Sequence, residues 1–224
     1  MSSENDRVVL AHQLRYHRKL AGTSLSTVAK ALGRSVSHLS NVETGRDRAS
    51  WEVIAFYDNN FHADGQLWTA WVEVMTAARP PQRVSPGQRP DYPLAGDAGT
   101  FVADVTIPDG TIMPPLFIFE KIWRIKNSGT VPWVGRRLAR VGAAAGYGIP
   151  HSPSHVALAD TPPGATVDIA VPIRAQPLLG TSQARWKMVD ENGWEYFPDR
   201  YPAGVFMTIV VVEGAPSPDL RHWA

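Results

Sequence analysis

The chain has 224 residues, 44% of them hydrophobic and 19% charged, with a formal net charge of +1 and no cysteine. That is the composition of a folded protein, and the length allows one large domain or two small ones. Without cysteine there is no disulfide framework, thiolate zinc site, iron–sulfur cluster or cysteine nucleophile.

The charge is unevenly placed. Between Arg7 and Arg48, eight Lys/Arg stand against only Glu43 and Asp47, an excess of +6. Residues 49–80 carry Arg79 against four acids, and residues 81–224 balance. A basic block confined to the first fifth of a neutral chain points to a polyanion-binding surface; a merely solvated face is the alternative. No apolar run is long enough to span a bilayer, and the start of the chain lacks the pattern of a signal peptide, so a cytoplasmic location is expected.

Residues 1–78 read as four or five short helices. Val8, Leu10 and Leu14 give an amphipathic first helix that stops at Gly22. Ser24 caps a second helix through Val28, Ala29 and Leu32, and Gly33-Arg34 makes a tight turn. Ser35 caps a third, with Val36, Leu39 and Val42 at helical spacing, ended by Gly45. Ser50 and Asp64-Gly65 open the fourth and fifth, the latter carrying Trp68 and Trp71 as core residues or as a dimer interface.

Residues 79–99 hold five prolines and read as a stiffened linker. From residue 100 the period changes to two. Phe117, Phe119, Lys121, Trp123 and Ile125 share one face of a strand, as do Val167, Ile169, Val171 and Ile173 of another and Ala184, Trp186 and Met188 of a third. Asn192-Gly193 is a hairpin turn, and Val205–Val212 reads as a fully buried strand. Residues 100–212 are thus expected to form an antiparallel, immunoglobulin-like β-sandwich, with residues 213–224 a loose tail. The expected fold is an all-α unit and an all-β unit joined by a Pro-rich linker.

Two helices joined by a glycine turn form a helix-turn-helix arrangement. Ala21-Gly22-Thr23-Ser24, Val28-Ala29-Lys30-Ala31-Leu32-Gly33 and the run from Ser35 to Gly45 closely resemble the λ-repressor-like, xenobiotic-response-element type of helix-turn-helix domain. That resemblance implies a third helix in the major groove of double-stranded DNA. Ser35, Ser37, His38, Ser40 and Asn41 would read bases. Ser24, Arg34, Arg46 and Arg48 would hold phosphates. Specific binding would call for a homodimer, because one short helix reads few base pairs. Leu25 stands where the family commonly has Gln, and the third helix carries no Arg or Lys. On those two features rests the alternative, a non-enzymatic adaptor whose helical unit serves assembly or docking.

Pro108-Asp109-Gly110-Thr111, Lys121-Ile122-Trp123-Arg124-Ile125-Lys126-Asn127 and Trp186-Lys187-Met188-Val189-Asp190 occur in the order seen in the four-tryptophan (FW) domain. The second half resembles that domain, best known from selective-autophagy cargo receptors and often fused to a helix-turn-helix in bacteria. Trp123, Trp133, Trp186 and Trp194 are the signature. The resemblance implies a binding module, and its expected partner is a protein, a peptide or a small ligand, with self-association the other use. Most of the tryptophans are expected in the core; Trp133 and Trp194, beside turn residues, are the expected surface contacts. His151 and His155 have a spacing suited to a metal on a helix, but the surrounding prolines argue against a helix, so no metal and no cofactor is expected. No phosphate loop, catalytic triad or carboxylate pair is legible, and the chain is expected not to be an enzyme.

Overall fold

The computed structural model describes residues 2–77, 94–197 and 204–218. These fall into two compact units, one helical and one of β-structure. The greater part of the expected linker, and the end of the tail, lie outside the described residues.

The helical unit contains α1 (Ser2–Leu20), α2 (Leu25–Leu32), α3 (Val36–Glu43), α4 (Trp51–Asn60) and α5 (Gln66–Ala77). Gly22, at φ +64°, lets the chain leave α1. There the Thr23 N–H donates to the Arg18 carbonyl at 3.1 Å, satisfying an end carbonyl of the helix. The hydroxyls of Ser24 and Ser35 accept from the Thr27 and His38 N–H groups, each at 3.1 Å, so these two expected caps form, whereas Ser50 precedes α4 without a side-chain cap bond. The cap of α5 comes instead from α4. Asp58 accepts the Gly65 N–H at 2.6 Å and the Trp68 N–H at 2.8 Å. Leu10, Leu14, Val28, Leu39, Ile54 and Leu67 form the buried interior. Trp68 and Trp71 are buried with them, and the Trp71 indole N–H donates to the Ala49 carbonyl at 3.0 Å. Their expected alternative use as a dimer interface is thereby removed: neither ring is available to a second copy.

One member of the basic block is not on the surface. Arg18 is buried and grips Glu43 through Nε and Nη2, both at 2.6 Å, while the Tyr57 hydroxyl donates to the same carboxylate at 2.8 Å. This network bolts the last turn of α3 to α1 and α4.

The β unit has strands β1 (Gly99–Asp104), β2 (Thr111–Met113), β3 (Ile118–Asn127), β4 (Arg137–Arg140), β5 (His155–Ala157), β6 (Thr166–Arg174), β7 (Gly180–Val189) and β8 (Val205–Val211). They form two sheets, ordered β1-β3-β6 and β2-β8-β7-β4-β5. All pairings are antiparallel except β2 with β8, which is parallel. The Pro108–Gly110 turn sets that pair: the Gly110 N–H donates to the Thr208 carbonyl at 2.8 Å, and Asp109 accepts the Thr208 N–H at 2.7 Å. The core contains Phe119, Trp123, Ile169, Val171, Trp186, Met207 and Ile209. β8 alternates between buried and more exposed residues instead of being buried throughout, because one face of its sheet meets solvent.

The expected linker ends earlier than residue 99. Asp97 is buried in the sandwich, and the Ser128 and Thr130 N–H groups donate to the Ala98 and Gly96 carbonyls at 3.1 and 2.8 Å. A Cβ on Gly129 would collide with the Gly96 carbonyl and the Ala98 amide, which accounts for glycine in the Asn127-Ser128-Gly129 run. Asn127 is fully buried and donates to the Val131 and Thr161 carbonyls at 2.9 and 3.0 Å.

His151 and His155 lie on extended chain, as the prolines required. His151 bridges to Arg174, and His155 is exposed at the start of β5. Burial, with Arg174 adding to it, pulls the His151 imidazole down to about 4 from an ordinary 6.5. The unfolded chain therefore binds this proton first as pH falls, so the contribution is present above about 6.5 and is lost on descent to about 4. Sandwich stability should fall across that window, and His151→Gln should flatten the slope in urea titrations at stepped pH. Equal slopes for both proteins would remove His151 from the account.

Candidate functional site

Helix α3 follows a turn made by Gly33, which at φ +61° closes α2 with its N–H on the Lys30 carbonyl. Ser35, Ser37 and Ser40 are exposed; His38 and Asn41 are half-buried. Leu39, Val42 and Glu43 face inward, so the remaining side of α3 is free to meet a partner. Ser24 and Ser35 are exposed, and each hydroxyl already accepts a cap bond; Ser35 keeps its proton and one lone pair for a phosphate or base, whereas the Ser24 hydroxyl is also bonded to the Ser26 and Thr27 hydroxyls at 2.8 and 2.7 Å. His38 Nδ1 lies 3.4 Å from Asp47 Oδ2, and the Asn41 carbonyl accepts the Arg46 and Asp47 N–H groups at 2.9 and 3.2 Å. Arg34 before the helix and Arg46 and Arg48 after it are exposed and have no carboxylate partner among the described residues. Local structure thus brings together a capped, outward-facing helix and three uncompensated guanidinium groups.

The sandwich carries a second candidate. A cleft of about 410 Å³ opens between β1 and β3 on one side and β7 and β8 on the other. Trp123, Trp133 and Trp186 form its floor, and Phe101 and Phe206, both partly exposed, stand among its walls. The Trp123 indole N–H donates to the Phe206 carbonyl at 3.1 Å, fixing one wall. Its ring lies 5.1 Å from that of Trp186 at an interplanar angle of 57°.

One of the two expected surface contacts needs revision. Trp133 is only 1% exposed. Its N–H donates to Asp97 Oδ1 at 3.0 Å, and Asp97 also takes both terminal nitrogens of buried Arg136, at 2.9 and 3.0 Å. Adjacent turn residues suggested a surface position; a carboxylate 36 residues earlier in the chain supplies the indole's partner inside. Trp194 is half-buried, with its backbone N–H on Asp190 at 3.0 Å. For Phe101 and Phe206 the sequence pattern gives no sign of this place, since alternation alone does not tell which outward positions border a cleft.

Residues 106–211 match the family described as an Ig-like domain from next to BRCA1 gene, and residues 9–71 match a helix-turn-helix domain. The chain joins a helix-turn-helix domain to an NBR1-type Ig-like domain. Both are types typical of non-enzymatic proteins. Protein ILRUN of Danio rerio is 36% identical over 98 residues, which are 43% of this chain and 33% of that protein. Protein JOKA2 of Solanum tuberosum is 31% identical over 97 residues, 43% of this chain and 11% of that one. An NBR1 homolog of Arabidopsis thaliana is 28% identical over 97 residues, 43% and 14% of the two chains. The chain spans a third or less of these relatives. A crystal structure of an HTH_3 family transcriptional regulator from Vibrio cholerae aligns over 78% of this chain and 92% of that one. The TM-score is 0.25 at 14% identity. No described helix of this chain is long and apolar enough to cross a membrane.

Proposed function

We propose that the chain is a sequence-specific DNA-binding transcriptional regulator, acting as a homodimer, whose Ig-like domain binds a protein or peptide partner at the tryptophan-floored cleft. The observation that carries the DNA reading is the trio Arg34, Arg46 and Arg48, exposed around α3 and without carboxylate partners among the described residues. In this reading the three guanidinium groups take phosphates and set the register of α3 in the major groove. Ser37, His38, Ser40 and Asn41 then meet base edges, with Ser35 beside them and Asn41 suited to adenine. Ser24, at the start of α2, reaches the backbone. A partner seated on the Ig-like domain changes how often two such heads meet DNA together.

One observation favours the adaptor reading. α3 has no Arg or Lys, and its one titratable side chain facing outward, His38, sits beside Asp47.

Selection of bound fragments from sheared genomic DNA by the full chain, at low and moderate salt, separates the two. A shared, roughly palindromic site surviving moderate salt supports the regulator. Random fragments released by salt, or none, support the adaptor. For a selected site, Arg46→Ala with Arg48→Ala should cut affinity at least about tenfold and lower the slope of log K against log[salt] by about 1.8, near 0.9 per lost phosphate contact. Unchanged affinity in that double variant would overturn the phosphate assignment.

A further inference from the structure

Sequence and contacts together single out one cation of the Ig-like domain. Between Lys121 and Ala159 the chain has six Lys/Arg and no Asp or Glu, so a carboxylate for any of them must come from elsewhere. Three of the six have one: Lys121 takes Asp104, Arg124 takes Asp168 and Arg136 takes Asp97, at 2.6, 2.7 and 2.9 Å. Arg140, on β4, has none among the described residues, although it faces inward. It pairs in register with Trp186, which is 0% exposed, and its guanidinium carbon lies 4.6 Å from the centre of that ring. Burial draws the Arg140 pKa down to about 10, and no acidic group offsets the effect. An inward charge without a counter-charge is costly to keep.

The edges of this guanidinium differ. Nη1 is enclosed and has no acceptor among the described residues. Nε has only the Ala143 carbonyl, at 3.4 Å, in an exposed contact. Nη2 is neither enclosed nor hydrogen-bonded among the described residues. The Nε–Nη2 edge is therefore the open one, and it is the edge through which Arg124 holds Asp168, at 2.7 Å from each nitrogen. The loop that follows Arg140 adds exposed apolar side chains. Val141 and Tyr147 belong to it, and Leu178, also exposed, is tied to it by its N–H on the Tyr147 carbonyl at 3.3 Å.

We infer that Arg140 binds a carboxylate side chain of a peptide partner through its Nε–Nη2 edge, with apolar residues beside the acid packing on Val141, Tyr147 and Leu178. The site adjoins the tryptophan-floored cleft through Trp186 without lining it, and its assignment rests on the reading of the Ig-like domain as a partner-binding module. A carboxylate supplies two charge-assisted bonds to the fork and neutralises the guanidinium. Phosphate would match the same fork, but the apolar rim suits a peptide, whose neighbouring side chains can cover it.

The test is a titration of the full-length ¹⁵N-labelled chain, followed at the Arg140 Nε–H and Trp186 indole resonances. The probes are acetyl-Leu-Glu-Leu-amide, its glutamine counterpart and inorganic phosphate. The glutamate peptide should bind at least about tenfold more tightly than the glutamine peptide, a preference that falls as salt is raised. Arg140→Lys keeps the charge but not the planar fork, and should shrink the preference to about threefold or less. Arg140→Met should abolish the preference and, by removing an inward charge without a counter-charge, raise the urea midpoint of the free sandwich. A lowered midpoint would make Arg140 a structural partner of Trp186 and overturn the inference. Equal binding of the two peptides, with shifts confined to Phe101 and Phe206, would overturn the carboxylate site while leaving the cleft as a binding site. Phosphate binding as tightly as the glutamate peptide would overturn the peptide assignment in favour of a phosphate site, and no shift with any probe would overturn it outright.

Discussion

Glu43→Ala is expected to unfold most of the helical unit at temperatures the parent chain tolerates. The substitution strands the buried Arg18 guanidinium, which loses both 2.6 Å contacts, and removes the acceptor of the Tyr57 hydroxyl. Breaking a buried pair from one side costs about 3–5 kcal/mol. A unit of roughly 80 residues holds only about 4–12 kcal/mol in total, so the loss is comparable with the whole. Circular dichroism at the helical minimum during heating reads this directly, with the sandwich tryptophans as an internal control. Tyr57→Phe removes one hydrogen bond to a charged group and should cost about 1.5–3 kcal/mol. Replacing Arg18 and Glu43 together by Met and Leu should restore most of the stability, because neither charge is then left alone. A Glu43→Ala chain melting within a few degrees of the parent would show that the pair bears no such weight.

Asp97→Ala should do comparable damage to the sandwich. Arg136, 2% exposed, keeps its charge but loses its carboxylate, and the Trp133 indole N–H loses its acceptor. Stacking of the guanidinium 3.7 Å from the centroid of the Tyr196 ring compensates only in part. The expected loss is about 3–5 kcal/mol in urea unfolding followed by tryptophan fluorescence. Asp97→Asn retains an oxygen for the indole and should fall between the two. Since Trp133 floors the cleft, the alanine variant should also weaken peptide binding, whereas the asparagine variant should leave more of it. Identical urea midpoints for parent, Asn and Ala chains would remove Asp97 from the account of the core.

The contrast between these two clusters and the rest shows what a sequence reveals. Ser24 and Ser35 were legible as caps because a cap joins residues three apart, and the bond is dictated by local backbone geometry. β3, β6 and β7 were legible because alternation records which face is buried. Lys121 fell on the apolar face of that pattern, and the reason it is tolerated there, Asp104 with two carbonyls, became visible only with the sheet folded. Arg18 counted as surface charge, and Asp97 stood within a proline-rich stretch that suggested linker. Each is defined by a partner 25 or 39 residues away, and no local pattern encodes such pairing. The cleft was illegible for a related reason, since its walls come from strands of both sheets.

The seating of residues 96–99 has a mechanical consequence. Any pull along the chain toward the helical unit reaches the sandwich first at Gly96–Gly99. That stretch is held by backbone bonds to Ser128, Gly129 and Thr130 and by the Asp97 carboxylate clamped on Arg136. Load would thus fall on several bonds together before β1 could peel from β3. Tension carried by the intervening chain would meet resistance at the same carboxylate that holds Trp133 in the floor of the cleft. Force on the connection and occupancy of the cleft would then be mechanically linked through one side chain.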